Sequence, residues 1–466
     1  MLERVKVPLA AAWAAVCVLT GSGCVHYQPR VLIPTQSEAQ LRARSLAVEG
    51  LAEFVRVETG TADLAWPPTQ LTPEVLTAIA WFFSTDLEVA RAKTETAAAG
   101  IVTARQKINP TVTGGGGRNK TPDSIAAYSI STSFTIETAG KRGLRILEAE
   151  KVAEAARIGV YEVAWEVRVR MRNALSGYLV AKARLAAVEA EDKLRGEVSS
   201  ILQRRLELGE AARPELNQAA AERASVTNTL RTAEGDVAEA LGAIAAAAGL
   251  PVSAIERRPL ELSSMTGSSE VAAEQVRRAG LLHRADIRKA LVEYEAVDTR
   301  LRLAIANQYP NIVLAPDLTM EEGSGQYTLG SILDSLPIFH KHQGPIAEGE
   351  AARKQAGAEF LALQAKVIAA AEGAALEYRS ALVEWQTAGE ALQRVSRQKT
   401  ASAEAALRSG DASRLDVTLA RLDTVLLRHS SDDAFERLQA ALGALEDAMQ
   451  TPVWAAIPAP RAEKAR

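Results

Sequence analysis

Two long stretches of the chain are rich in helix-forming residues and contain no proline. They lie between Pro122 and Pro214 and between Pro345 and Pro452, and Ala, Leu, Glu, Arg and Gln dominate both, which favours uninterrupted helix. A helix over 143–208 would be roughly 100 Å long at about 1.5 Å per residue. Helices of this length are stabilised by packing an apolar stripe against a neighbour, so the pattern predicts coiled coils or bundles.

Short segments with a two-residue period interrupt the helical pattern. In YSISTSFTI, residues 128–136, apolar side chains alternate with serine and threonine, as expected for a β-strand with one apolar face. In the predicted hairpin 110–136 its partner strand includes Gly114–Gly117, which suits a tightly curved wall, and RNKTPDS is the loop. A second hairpin is predicted over 310–338, with a return strand from about Tyr327 to Leu336. One face of its first strand holds Ile312, Leu314, Leu318 and Met320.

Four predicted strands suggest a membrane barrel but are too few to close one. Strands of about ten residues with one apolar and one small-polar face are typical of transmembrane β-barrels, and about eight strands is the practical minimum. An open sheet edge in lipid would leave backbone N–H and C=O groups unpaired. The chain must then pool its strands with other copies, and three copies would give 3 × 4 = 12. Soluble hairpins packed on helices are the alternative.

The two halves of the chain repeat the same order of elements. Asp86 and Asp286 are 286 − 86 = 200 residues apart, and Gly209 and Gly410 are 410 − 209 = 201 residues apart. Each half therefore reads as helix, strand pair, long helix, break and helix. The predicted divisions are a signal peptide 1–23, an N-terminal extended segment 24–72, a first repeat 73–250, a linker 251–272, a second repeat 273–450 and a tail 451–466.

The first residues have the form of an export signal. Arg4 and Lys6 precede an apolar run over 7–19, which is too short to span a bilayer comfortably, and small residues follow it. The small residues before Cys24 resemble the lipobox of bacterial lipoproteins, which would make Cys24 an acylated first residue of the mature chain. Ordinary signal-peptidase cleavage among these residues is the alternative.

Composition and charge argue against nucleic-acid binding and catalysis. The net charge of -3, with no long run of one sign, offers no basic surface for nucleic acid. Both cysteines, Cys17 and Cys24, lie near the start, so the mature chain would have no internal disulfide or Cys-based metal site. His340 and His342 form a weak metal candidate, and a solvated pair is the main alternative. No nucleophile, base and orienting group come together, so we predict neither an enzyme nor a cofactor.

Several segments together resemble the TolC family of outer-membrane efflux ducts. They are YPNIVL at 309–314, YTLGSILDSLPIFHKHQGPIAEGEAARKQA at 327–356 and the helix breaks at 208–209 and 409–410, and the resemblance covers about 73–450. It implies a mainly α fold with a small β part, in which a trimer shares a 12-stranded transmembrane β-barrel and a long α-helical barrel. It also implies a passive duct in the outer membrane of a Gram-negative bacterium, extending into the periplasm. The implied partners are a periplasmic adaptor protein, an inner-membrane resistance-nodulation-division pump and outer-membrane lipid.

One junction resembles the heavy-metal (cobalt-zinc-cadmium, CzcC-like) branch of that family. In IETAGKRGLRILEAE, residues 136–150, Gly140, Lys141 and Arg142 match the Gly-Lys-Arg that this branch typically has between strand and helix. Thr138 and Ala139 stand where another glycine is often found. A generic turn is the alternative. Drug efflux or type I secretion within the family stays open, as do a periplasmic adaptor and a helical scaffold outside it.

The resemblance places the functional residues at the two helix breaks. In the segment 410–417, an acidic side chain would form a ring in a narrow aperture, where three carboxylates attract cations and repel anions. The alternative is that the acidic residues cap or solvate a new helical turn. The implied gating residues are Asp416, Arg414, Glu215 and Arg213. The implied adaptor contacts are Leu208, Gly209, Ser409 and Gly410.

Overall fold

The computed structural model describes residues 25–117, 127–266, 273–321 and 324–453. The described residues up to Arg44 form one unit, and those from Ser45 onward form another. The first unit contains helix α1 (Pro34–Arg42), in which Arg42 pairs with Glu38 at 2.7 Å. The predicted signal peptide, Cys24, the loop RNKTPDS and most of the predicted tail lie outside the described residues.

The second unit contains one order of elements twice. Helix α2 (Leu51–Thr59) precedes both sets. The long helices of the two sets have equal lengths, 67 residues each, and so do the helices that follow them, 36 residues each. The first set is α3 (Pro73–Phe83), α4 (Thr85–Arg105), β1 (Thr111–Gly117), β2 (Ala127–Ile136), α5 (Lys141–Glu207) and α6 (Arg213–Ala248). The second set is α7 (Ala273–His283), α8 (Ala285–Ala306), β3 (Ile312–Glu321), β4 (Ser324–Leu333), α9 (Gln343–Ser409) and α10 (Arg414–Met449).

The segment before the first repeat is helical in part, although the sequence predicted it to be extended. Pro34 opens α1, and α2 follows Gly50, whose φ of 80° is in the left-handed region that glycine tolerates. Leu51 and Val55 are fully buried, and α2 packs against α3. Their four-residue spacing places them on one face of a helix, and this period was missed in the sequence.

The long helices α5 and α9 belong to one layer of helices. Near the strands the order is α4, α5, α8 and α9, and beyond them it is α6, α5, α10 and α9. Helix α5 therefore contacts two helices of the second repeat, α8 near the strands and α10 farther from them. Helix α9 lies at one end of the layer, and its buried residues are confined to the stretch from Val367 to Leu382.

The largest apolar cluster lies where α2 and α3 pack on α5 and α6. Its fully buried side chains include Leu76, Ile79, Met171 and Ile244, and each contributes about 1.5–3 kcal/mol relative to an exposed position. Trp81 packs there too, and its indole N–H donates to the carbonyl oxygen of Ala164 at 2.9 Å. This cluster fixes the short helices against the two helices of the first repeat.

A buried polar contact joins the two repeats. Arg172 of α5 and Glu446 of α10 form an ion pair at 3.3 Å, and both side chains are 3% exposed. A Cβ at Gly443 would lie 2.5 Å from Arg172 Nη1, so glycine leaves room for the guanidinium. Burial raises the pKa of Glu446, while the Val453 N–H and Arg172 oppose that rise. Arg172 also donates from Nη2 to Gln439 Oε1 at 3.5 Å, so its guanidinium contacts α10 at two buried positions.

The strands form one antiparallel sheet in the order β1-β2-β3-β4. The register brings the apolar positions of adjacent strands together, for example Ile130 opposite Leu318 and Leu318 opposite Tyr327. The predicted strand pairs are confirmed, and β4 begins three residues before the predicted Tyr327. Asp334 follows β4 and accepts a hydrogen bond from the Asn311 N–H at 2.8 Å, which closes the end of the hairpin.

Candidate functional site

The first helix break joins α5 to α6 with a left-handed glycine. Gly209 has φ of 76°, and the Glu210 N–H donates to the Arg205 carbonyl oxygen at 2.7 Å. This hydrogen bond satisfies a carbonyl group that the end of the helix leaves free. Helix α6 then begins with Pro214 in its first turn, and its N-cap residue Ala212 supplies no side-chain acceptor. The first break therefore has no side-chain N-cap; it is held by backbone geometry and by Arg205, whose Nη2 donates to the Glu210 carbonyl oxygen at 3.4 Å.

The second helix break, between α9 and α10, is fastened by side chains. Gly410 has φ of 83°, and the Asp411 N–H donates to the Ala406 carbonyl oxygen at 2.9 Å. Ser413 and Asp416 then form a capping box: Asp416 Oδ2 accepts from the Ser413 N–H at 2.7 Å and from Ser413 Oγ at 2.8 Å. This arrangement satisfies N–H groups that the start of a helix leaves free.

The carboxyl group of Asp416 is held in its ionised form. The Ser413 N–H and hydroxyl lower the pKa of Asp416, and the positive charge of Arg205 lowers it further. The capping alternative is therefore confirmed for Asp416, while its place in an aperture stays a prediction.

The two breaks contact each other through a small apolar cluster. Leu415, beside Asp416, packs against a cluster formed by Val198, Leu202 and Ala219 of the first repeat. Arg205 lies one turn from the end of α5 and acts electrostatically on Asp416. The role of Arg205 could not be predicted from the sequence, since the partners come from different repeats and are 211 residues apart (416 − 205 = 211).

The other predicted gating residues have equivalent positions but different contacts. Glu215 and Asp416 are the third residues of α6 and α10, and Arg213 and Arg414 are the first. Within the described part of a single chain, neither of these two arginines forms an ion pair. Among the predicted adaptor contacts, Leu208 is 74% exposed, which is unusual for a large apolar side chain at a helix end.

The sheet has one apolar and one polar face. The register places Tyr128, Ile130, Phe134 and Ile136 on the same face as their apolar partners on β3. Several of these side chains are about half exposed. A sheet with such an exposed apolar face is suited to lipid on that side and water on the other. No helix among the described residues is both long enough and apolar enough to cross a membrane.

The Gly-Lys-Arg junction is a clamp between the strands and the helices. Lys141 is buried, and its ammonium group donates to the Tyr309 carbonyl oxygen at 2.6 Å and to Asn311 Oδ1 at 2.7 Å. Asn311 in turn donates from Nδ2 to Asp334 at 2.7 Å. Arg142 donates to the carbonyl oxygen of Arg105, at the end of α4, at 2.7 Å. The junction therefore ties together the ends of all the connections between sheet and helices, a role that the sequence did not reveal.

The described residues offer little for binding a metal. The rings of His340 and His342 lie 5.4 Å apart, centroid to centroid, in an edge-to-face arrangement. Elsewhere in the described part of the chain, no group of three His, Cys, Asp or Glu side chains is arranged to hold an ion.

The chain resembles solved outer-membrane channels in structure. The outer membrane protein VceC from Vibrio cholerae matches over 82% of this chain and 96% of its own, with 19% identity and a TM-score of 0.65. The Campylobacter jejuni CmeC outer membrane channel matches over 92% of this chain and 93% of its own, with 14% identity and a TM-score of 0.63. CusC, described for its transmembrane channel formation, matches over 92% and 99%, with 16% identity and a TM-score of 0.65.

Sequence comparison adds no relative to these structures. No family model matches the chain, and no curated protein matches it. At such low identity the structural likeness shows the fold alone. It confirms the predicted TolC-like fold of the chain, which is mainly helical with a small part of four β-strands. The prediction that the chain is not an enzyme stays a prediction.

Proposed function

We propose that the protein is a passive outer-membrane exit duct of a tripartite efflux pump, formed by three copies of the chain. The proposal rests on one observation: in the described chain, each edge strand of the sheet is connected to the helix at the corresponding edge of the helical layer. The sheet ends at β1 and β4. Helix α4 leads into β1, and α9 follows β4, so each open strand continues into a helix at the same end of the layer.

The open ends carry apolar side chains that a neighbouring copy would cover. On α9, Leu361, Leu376 and Val383 are 62%, 65% and 56% exposed, and they lie within one stripe of the helix. Contact between α9 and the next copy would repeat the contacts that α5 already makes with α8 and α10. Three copies then close a 12-stranded barrel, which leaves no unpaired strand edge in lipid.

The helix breaks form the gate in this proposal. Three copies bring three Asp416 carboxylates to one passage, where their mutual repulsion favours opening and cations favour closure. Arg414 and Arg213 bind neighbouring helices in the closed state. The exposed Leu208, with Gly209, Ser409 and Gly410, receives the periplasmic adaptor, and the inner-membrane pump supplies the energy.

Divalent heavy-metal cations are the proposed cargo. The Gly-Lys-Arg junction at 140–142 supports the heavy-metal branch through its resemblance to that branch. The contacts of Lys141 and Arg142 join the strands to the helices and would be compatible with any cargo. Acylation of Cys24 would add a lipid anchor to the barrel. Drug efflux is the second candidate, and the solved channels of the same fold leave it open.

Deletion of the gene tests the proposal. Cells that lack the protein are compared with wild-type cells on zinc, cobalt, cadmium, nickel and copper, and on a panel of dyes and detergents. Genes encoding the wild-type protein, Asp416→Ala and the matched control Glu215→Ala are then returned on plasmids. Glu215 occupies the same helical position in the first break, so the control separates the gate from the general effect of losing a carboxylate there.

The outcomes separate the branches of the proposal. Sensitivity confined to divalent metals supports the heavy-metal duct, and sensitivity confined to dyes and detergents moves the protein to drug efflux. Failure of Asp416→Ala, with normal amounts of heat-modifiable trimer in the outer membrane, supports its place in the conduction path. A chain that forms no membrane-inserted oligomer would contradict the duct and favour a periplasmic adaptor or scaffold.

A further inference from the structure

The polar face of the sheet carries almost no charge. β1, β2 and β4 contain no Asp, Glu, Lys, Arg or His, and β3 contains only Asp317 and Glu321. Asp317 lies in the middle of its strand, among serine, threonine and glycine. The four strands contain no basic residue, so no positive charge of the strands offsets the field of the Asp317 carboxylate.

The register places Asp317 on the face opposite the apolar one. It pairs with Ser131 on β2 and with Thr328 on β4, whereas its chain neighbour Leu318 pairs with Ile130 and Tyr327 on the apolar face. Because side chains alternate along a strand, Asp317 must share the face of Ser131 and Thr328. In a closed barrel that face lines the water-filled interior.

The contacts of Asp317 keep it available to ions. Its Oδ2 accepts a hydrogen bond from Thr319 Oγ1 at 2.8 Å, and the side chain is partly exposed. Within the described part of the chain, no lysine, arginine or histidine lies within ion-pair distance of it. Other carboxylates do have such partners, for example Glu446 in α10 and Glu137 in the connection between β2 and α5.

We propose that Asp317 makes the barrel lumen selective for cations over anions. The inference rests on the proposed duct and names the charge class of what crosses its outer part. Three copies place three Asp317 carboxylates at one height of the lumen, far along the chain from the Asp416 gate. A ring of acidic side chains attracts cations and repels anions.

Conductance of the purified full chain in planar lipid bilayers tests this inference. Under a potassium chloride gradient, the reversal potential gives the ratio of potassium to chloride permeability. For Asp317→Asn we expect this ratio to fall on the order of tenfold or more at low salt, since the variant removes three carboxylates and each of them, about 10 Å from an ion in water, contributes about a factor of two for potassium and for chloride in opposite directions. The effect should shrink at 1 M salt, where the Debye length is only about 3 Å.

A charge transplant distinguishes electrostatics from structure. In the double variant Ser131→Asp with Asp317→Asn, the carboxylate returns at the same height from the neighbouring strand, and we expect the permeability ratio to recover. Ser131→Lys alone places an ammonium group opposite Asp317 and should lower the ratio while Asp317 is retained. If Asp317→Asn does not assemble, this lysine variant still tests the inference. Asp63→Asn removes an exposed carboxylate outside the sheet and controls for net charge.

The outcomes separate this inference from the function on which it rests. Wild-type protein that forms no channels contradicts the proposed duct. Wild-type channels whose permeability ratio is unchanged by both Asp317→Asn and Ser131→Lys leave the duct intact and overturn the role of Asp317. Repeating the measurement in an Asp416→Asn background removes the contribution of the gate, and the effect of Asp317→Asn should persist there.

Discussion

Helices α5 and α9 have the same length and equivalent places in the two repeats, yet their surroundings differ. Helix α5 has buried residues along most of its length, from Lys141 to Leu202, because helices of both repeats flank it. Helix α9 buries residues only between Val367 and Leu382, and exposes leucine and valine elsewhere. The same sequence pattern thus forms the same long helix in both repeats. Whether a face of that helix is buried depends on which helices pack beside it in the layer.

The two helix breaks also have equivalent places in the two repeats but different side-chain contacts. Both begin with a left-handed glycine, and both are followed by a helix of 36 residues. Only the second has a capping box, because Ser413 replaces the alanine that caps the first. Asp416, the carboxylate proposed to line the aperture, is also part of this capping box, so a cation or proton that binds its carboxylate must compete with the N–H of Ser413.

The largest effect is expected from a charge on the open face of α9. Leu376→Glu would bury an uncompensated carboxylate against the next copy, at a cost of several kcal/mol for each interface, so we expect the trimer to be lost. Light scattering of the detergent-solubilised protein measures the assembly. Leu291→Glu, on the exposed side of α8 within the layer, is the matched control and should leave the trimer in place. Equal behaviour of the two variants would contradict the proposed interface.

Removal of the buried arginine between the repeats should have the next largest effect. Arg172→Met leaves Glu446 buried without its hydrogen-bonded ion-pair partner, with only the longer-range charge of Arg168 beside it, and we expect a loss of about 3 kcal/mol in the free energy of unfolding. Arg184→Met is the control on the same helix pair: Arg184 is 43% exposed and binds Asp433 and Glu436, so about 1 kcal/mol or less should be lost. Urea unfolding followed by tryptophan fluorescence compares the two. Similar losses would show that burial does not distinguish these pairs.

The capping box should contribute a smaller, local stabilisation. Ser413→Ala removes the N-cap hydroxyl of α10 and should cost about 1 kcal/mol, seen as faster amide hydrogen exchange in the first turn of that helix. Ala212→Ser supplies the missing cap to α6 and should slow exchange there. If the second break is unaffected by Ser413→Ala, backbone geometry holds it as it holds the first.

The smallest effect is the pH dependence of that cap. The folded pKa of Asp416 lies below its unfolded value because the Ser413 N–H and hydroxyl bind the carboxylate. Its stabilisation is therefore present above the unfolded pKa and is lost as pH falls through the folded pKa. Hydrogen exchange of the first turn of α10, corrected for intrinsic rates, should accelerate with acidification, and Asp416→Asn should flatten this dependence. An unchanged slope in that variant would assign the titration to another group.

Much of the secondary structure could be predicted from the sequence because it depends on local chemistry. The first stretch without proline forms α5, the second forms most of α9 and all of α10, and the alternation in 128–136 forms most of β2. The short helix α2 was missed because its few apolar residues are weak evidence of a period. The end of β4 was predicted at Leu336 and lies at Leu333, since the Asn311–Asp334 contact that ends the hairpin joins residues distant in sequence.

The sequence alone determined the repeats, the glycine at each break and the two faces of the strands, because each depends on neighbouring residues and their conformational preferences. Tertiary structure decided which polar groups meet. Arg205 acts on Asp416, Lys141 binds the end of the α8–β3 connection, and Arg172 is buried against Glu446. Each of these contacts joins the two repeats across more than 160 residues, and only the packing of helices and strands brings such partners within reach of a hydrogen bond or a short-range charge interaction.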